Sequence, residues 1–88
     1  MKTKESQLQF PCDFSIKIIG KATDEFEIAV ATILRKYIPD FPEGAIKTKL
    51  SRDGNYLAMT ANIVASSQDL LDSIYRELSA NEQVIMAI

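Results

Sequence analysis

Residues 46–64 read IKTKLSRDGNYLAMTANIV, and this stretch decides the architecture. Ile46, Thr48 and Leu50 alternate with Lys47, Lys49 and Ser51, the period-two pattern of a strand whose outer face carries the lysines. After Arg52, Asp53, Gly54 and Asn55, a second alternation sets Leu57, Met59, Ala61 and Ile63 against Tyr56, Ala58, Thr60, Asn62 and Val64. An Asp-Gly pair between two such runs is the strongest short-range hairpin signal, because glycine reaches the positive φ that a tight hairpin turn needs. Lysines on a strand discourage pairing with a further strand, so the first arm of the hairpin is expected at a sheet edge.

Working outward, residues 14–20 (FSIKIIG) set Phe14, Ile16 and Ile18 against Ser15, Lys17 and Ile19, and Gly20 closes this first strand. Phe26, Val30, Ile33, Leu34 and Tyr37 then follow a 3.6-residue period, predicting a helix from near Asp24, with Glu27 completing a capping box, to a stop at Pro39. Residues 39–45 hold two prolines and a glycine and read as an aperiodic loop. Beyond the hairpin, Ser66 and Asp69 repeat the capping spacing, and Leu70, Leu71, Ile74, Tyr75 and Leu78 form a second helical stripe. On that helix Asp72 and Arg76 are expected to pair one turn apart, and Asn81 to end it in the left-handed conformation. Val84, Met86 and Ile88 alternate with Ile85 and Ala87 in a last strand.

The order strand, helix, strand, strand, helix, strand specifies an α+β, ferredoxin-like βαββαβ sandwich: a four-stranded antiparallel sheet with both helices on one face and strands one and three central. At 88 residues a single domain is expected, with residues 1–9 as a flexible arm whose polar part, residues 1–7, precedes the apolar anchors Leu8 and Phe10.

Ten basic and twelve acidic residues give a net charge of −2, which supports neither a nucleic-acid nor a membrane-surface partner. The absence of histidine removes the commonest general base and metal ligand, and a lone cysteine, Cys12, can build neither a disulfide framework nor a metal site. No catalytic residue, metal or cofactor is expected, and with no signal peptide or membrane span in the sequence the expectation is a cytoplasmic, non-enzymatic protein.

Chemistries often carried by this sandwich can be tested against the residues. A single-strand RNA reader needs stacking aromatics on the central strands, where this chain has Ser15, Lys17, Ile19, Ala58, Thr60 and Asn62. A phosphate-cleaving hydrolase needs a cationic loop after strand one; here Lys21 faces Asp24, Glu25 and Glu27. A regulatory module instead binds a metabolite or amino acid beside a glycine after the first strand, which points to Gly20, Lys21 and Lys17. The open sheet face, expected to show Lys17, Ile19, Tyr56, Ala58, Thr60, Val64, Ile85 and Ala87, is more apolar than a solvated face needs to be. A second copy of the chain, a protein partner or the amino-terminal arm would each cover it.

The Phe10-Pro11 start, the Phe14–Gly20 strand with Lys17 and Gly20, the Gly54-Asn55-Tyr56 turn and the Ser66–Leu78 helix with Tyr75, Glu77 and Leu78 together resemble the YbeD-like family of small bacterial proteins of unknown function. The resemblance spans nearly the whole chain, apart from Cys12 and the loop at residues 39–45. It implies a sandwich similar to amino-acid-binding ACT domains, brings no catalytic residues, and carries a genome-context association with lipoate metabolism. The expected function is therefore a regulatory or small-ligand-sensing ACT-like domain, or alternatively a protein-interaction adaptor using the open face through Ile19, Tyr56, Ala58, Thr60 and Ile85.

Overall fold

In a computed structural model, which describes residues 9–88, the elements run β1 (Cys12–Lys21), α1 (Asp24–Tyr37), β2 (Ile46–Leu50), β3 (Tyr56–Ala65), α2 (Gln68–Ala80) and β4 (Val84–Ala87). The arm expected over residues 1–9 lies, apart from Gln9, outside the described residues. The sheet order is β2-β3-β1-β4, antiparallel throughout, so β1 and β3 are central and the lysine-bearing β2 is an edge. β1 and β3 pair over ten residues, from Cys12 opposite Ala65 to Lys21 opposite Tyr56, so β1 extends beyond residues 14–20 at both ends.

Alternation along β1 and β3 sends Ile16, Ile18, Leu57, Met59, Ala61, Ile63 and Ala65 to one face. There they meet Phe26, Val30, Ile33 and Leu34 of α1 and Leu71, Ile74 and Leu78 of α2 in a single apolar core. Phe41, from the loop read as aperiodic, joins this core because its backbone N–H donates to the Ile38 carbonyl and folds the loop back under α1. A short 3-10 turn at Glu43–Ala45 then leads into β2.

Both helix starts sit one residue away from the predicted cap. Thr23, not Asp24, is the N-cap of α1 and accepts from the Phe26 N–H at 3.1 Å; Ser67, not Ser66, caps α2 and accepts from the Leu70 N–H at 3.1 Å. Each bond satisfies an otherwise unpartnered first-turn donor and contributes about 1 kcal/mol. Asp24, Glu25 and Glu27 lie at the positive end of the α1 dipole and Arg35 and Lys36 at its negative end. Asn81 ends α2 in extended backbone (φ −83°, ψ 129°) rather than left-handed, its side chain accepting from the Gln83 N–H. Asp72 accepts from Gln68 instead of pairing with Arg76. In the hairpin, Gly54 takes φ 78° as the Asp-Gly signal requires, and the Asp53 carboxylate accepts from Ser51 and from the Asn55 N–H, which hold its pKa below the usual carboxylate range.

The two helices are joined by polar contacts that no local pattern announces. Glu77 of α2 accepts from the Tyr37 hydroxyl at 2.7 Å and from Lys36 Nζ at 2.9 Å, both on α1. The Tyr37 hydrogen bond, then that from Lys36, holds the Glu77 carboxyl below its usual value of 4.5. A lowered folded-state pKa means this contribution is complete above that value and is lost as pH falls through the lowered one. Thermal stability measured against pH below about 4.5 is accordingly expected to fall less steeply in Glu77→Gln than in the parent chain; parallel profiles would exclude Glu77 as a contributor to acid sensitivity.

Candidate functional site

Gly20 was the sequence's first pointer to a ligand, and the fold gives it another task. It is buried, and a Cβ built there would lie 2.5 Å from the Phe26 ring and 2.6 Å from the Gln83 carbonyl oxygen. The missing side chain lets α1 set Phe26 directly on the backbone of β1. The ring fills the side of Gly20 where a Cβ would lie, and Gly20 sits within β1 rather than at a turn. Lys21, at the end of β1, is exposed and shares the face of Lys17.

What the strands assemble instead is the open face. Pairing places Lys17 opposite Thr60, Ile19 opposite Ala58 and Lys21 opposite Tyr56, with Lys47 beyond Thr60 and Lys49 beyond Ala58 on β2. The predicted residues Lys17, Ile19, Tyr56, Ala58 and Thr60 are therefore neighbours on one surface. β4 departs from the prediction: its register with β1 shifts between Ile19 and Gly20, so Met86 faces Ile19 and Ala87 faces Ile18. Reciprocal backbone bonds of 2.8 Å set Ile88 beside Lys17. Met86 and Ile88, both exposed, occupy the face assigned to Ile85 and Ala87; Ala87 turns toward the core, and Ile85 is exposed at the bulge without a strand partner.

The open face thus carries an apolar band from Ala58 through Ile19 to Met86, flanked by Lys17, Lys21, Lys47 and Lys49, while Asp13 is the acidic side chain placed there by strand alternation. On this face lies a shallow cavity of about 580 Å³ lined by Lys17, Ile19, Lys49, Arg52, Tyr56 and Ala58, among others. Three cationic side chains line it and, among the described residues, no carboxylate does. Arg52, a turn residue, was not singled out in the sequence; the hairpin turn brings it to the same cavity as Lys49. The helix layer has the opposite character, with Asp24, Glu25, Glu27, Asp69, Asp72 and Glu77 against Arg35, Lys36 and Arg76. A small net charge therefore conceals two oppositely charged surfaces. Chemically, the face can hold an anion beside apolar groups; among the described residues no group of three or more Cys, Asp or Glu side chains is placed to hold a metal ion. Cys12 is half-buried against the core, and no helix among the described residues is long and apolar enough to cross a membrane.

Comparison with known proteins agrees with the fold and with the sequence resemblance. The chain is similar to the UPF0250 protein of Nitrosomonas europaea, 41% identical over 86 residues that cover 98% of this chain and 99% of the relative. It is also similar to the UPF0250 protein of Paraburkholderia phytofirmans, 39% identical over 80 residues that cover 91% and 90% of the two chains. The solution structure of protein HP0495 from H. pylori superposes with a TM-score of 0.75 at 16% identity, covering 93% of this chain and 86% of that one, and so shares the fold. Residues 5–88 match the family model described as protein of unknown function, DUF493. The chain belongs to that family, the YbeD-like one its sequence resembles.

Proposed function

We propose that this protein is a non-catalytic interaction module that docks through the open face of its sheet onto a protein partner presenting acidic side chains around an apolar patch. The observation that carries this reading is the apolar band of half-buried Ile19 and Ala58 with exposed Tyr56, Met86 and Ile88, flanked by four lysines on a chain whose net charge is negative. An apolar centre with a charged rim is the usual anatomy of a docking surface, and cations at the rim select an acidic partner and speed encounter. Ligand sensing beside Gly20, the other expectation, has less to support it, because the side of Gly20 where a Cβ would lie is occupied by Phe26.

The test is affinity capture on the immobilised chain, run in parallel with Tyr56→Glu, with Lys17→Glu/Lys49→Glu, and with Lys36→Glu on the helix layer as a control. A partner whose affinity falls roughly tenfold or more in both face variants, weakens with rising salt and is indifferent to Lys36→Glu supports the proposal. A partner bound equally by the face variants overturns it. The cavity over Lys17, Lys49 and Arg52 favours a second reading, a small carboxylate- or phosphate-bearing metabolite with an apolar body. A metabolite that raises the melting temperature of the parent chain but not of Lys17→Glu/Lys49→Glu would favour that reading over protein docking.

A further inference from the structure

The two sheet edges are protected in different ways. β4 is four residues long and its pairing with β1 is broken by a register shift, both of which blunt an edge. β2 pairs with β3 without interruption from Ile46 to Leu50, contains no proline and, among the described residues, has no strand on its far side; its protection is Lys47 and Lys49, which repel a basic strand but not an acidic one. The hydrogen-bond phase of β2 follows from its end: the Ser51 N–H donates to the Tyr56 carbonyl at 2.8 Å, so by antiparallel alternation Lys49 and Lys47 exchange bonds with β3. The peptide groups of Ile46, Thr48 and Leu50 consequently point outward. Next to them, between α1 and β2, opens a cavity of about 330 Å³ lined by Ile28, Ala31, Phe41, Ile46, Thr48 and Met59, with Glu27 and Arg35 also contributing. Ile28, 63% exposed, and Leu50, 55% exposed, leave apolar surface on either side of that edge.

We propose that the free edge of β2 accepts an extended segment of a partner protein as a fifth strand, and that it selects the alternation acidic, apolar, acidic. A residue opposite Thr48 would exchange both backbone bonds with it and turn its side chain toward the cavity beneath α1, where an apolar group matches Ile28, Phe41 and Met59. Residues opposite Lys47 and Lys49 would form non-hydrogen-bonded pairs, the pairs whose side chains approach closest, and would lie on the lysine face, where acidic groups are favoured. The same geometry disfavours a second copy: β2 against β2, antiparallel about Thr48, sets Lys47 directly against Lys49. This surface shares Lys47 and Lys49 with the rim of the open face but not the band of Ile19 and Met86, so Thr48→Pro, which leaves both lysines and that band in place, separates its test from that of the open face.

Two fluorescently labelled peptides, Val-Glu-Val-Glu-Val-Thr and Val-Lys-Val-Lys-Val-Thr, would be titrated against the whole protein, with anisotropy for affinity and amide chemical shifts for location. The acidic peptide is expected to bind at least roughly tenfold more tightly, to perturb and protect the Thr48 and Leu50 amides, and to lose binding in Thr48→Pro, which removes an outward N–H and leaves the β2–β3 ladder intact. Lys47→Glu/Lys49→Glu is expected to reverse the preference between peptides, and serves where the proline variant fails to fold. Equal binding of the two peptides, no binding of either, shifts confined to Lys17 and Ile19, or self-association of the chain abolished by Thr48→Pro would each overturn the proposal.

Discussion

Phe26→Ala is expected to destabilise the fold by about 3–5 kcal/mol and to lower the melting temperature by roughly 15–30 °C. Phe26 is fully buried in the first turn of α1, packed on the backbone of β1 at Gly20 and within the same core as Val30 and Leu34. Removing the ring takes away its transfer free energy and leaves a cavity whose floor is strand backbone, which cannot move in to fill it. A chain of 88 residues has only about 4–13 kcal/mol of stability to lose, so the variant approaches the limit of folding at ordinary temperatures. Urea unfolding followed by circular dichroism gives the difference; a loss below about 1 kcal/mol would mean that α1 settles onto β1 without this ring.

Gly20→Ala is expected to cost about 1–3 kcal/mol through the opposite fault, excess volume. The added methyl meets the Phe26 ring at 2.5 Å and the Gln83 carbonyl oxygen at 2.6 Å, so both the helix and the segment entering β4 must shift. The two sites are therefore coupled. In the Phe26→Ala background the Gly20 methyl enters the vacated space, and Gly20→Ala is expected to cost at least about 1 kcal/mol less there than in the parent chain. Some of the penalty persists because Gln83 remains. A double-mutant cycle measures the coupling, and additivity within about 0.5 kcal/mol would show that the ring yields freely. A bulky residue at Gly20 accordingly probes stability and cannot serve as a probe of ligand binding.

The element order, the hairpin and both helical stripes were legible because each rests on a local rule: period two, period 3.6, or the positive φ of Gly54. The open face was legible as far as alternation reaches, so Lys17, Ile19, Tyr56, Ala58 and Thr60 were placed together without knowledge of the pairing. What failed depends on contacts between distant segments. The shift that exchanges Ile85 and Ala87 for Met86 and Ile88 arises where β4 meets β1 opposite Gly20 and Ile19. Gly20 looked like a turn residue because its actual reason, Phe26 above and Gln83 beside it, is tertiary. Phe41 lacked periodic neighbours, and the Tyr37–Glu77 bond joins helices whose faces are set only by docking. The caps moved by one residue because Thr23 and Ser67 are as capable of capping as their neighbours, and the backbone path chooses between them.

The position of β1 at the centre of the sheet has a consequence for how the chain comes to be folded. Neither of its neighbours is nearby in sequence: Cys12 must find Ala65, and Ile18 must find Ala87. During synthesis the first strand and first helix emerge long before either flank exists, and Ile16 and Ile18 have only α1 to shield them. Closing such large loops before any sheet contact is made slows assembly. The β2–β3 hairpin, whose partners are local, is the segment able to form first and present β3 as a template on which β1 is laid.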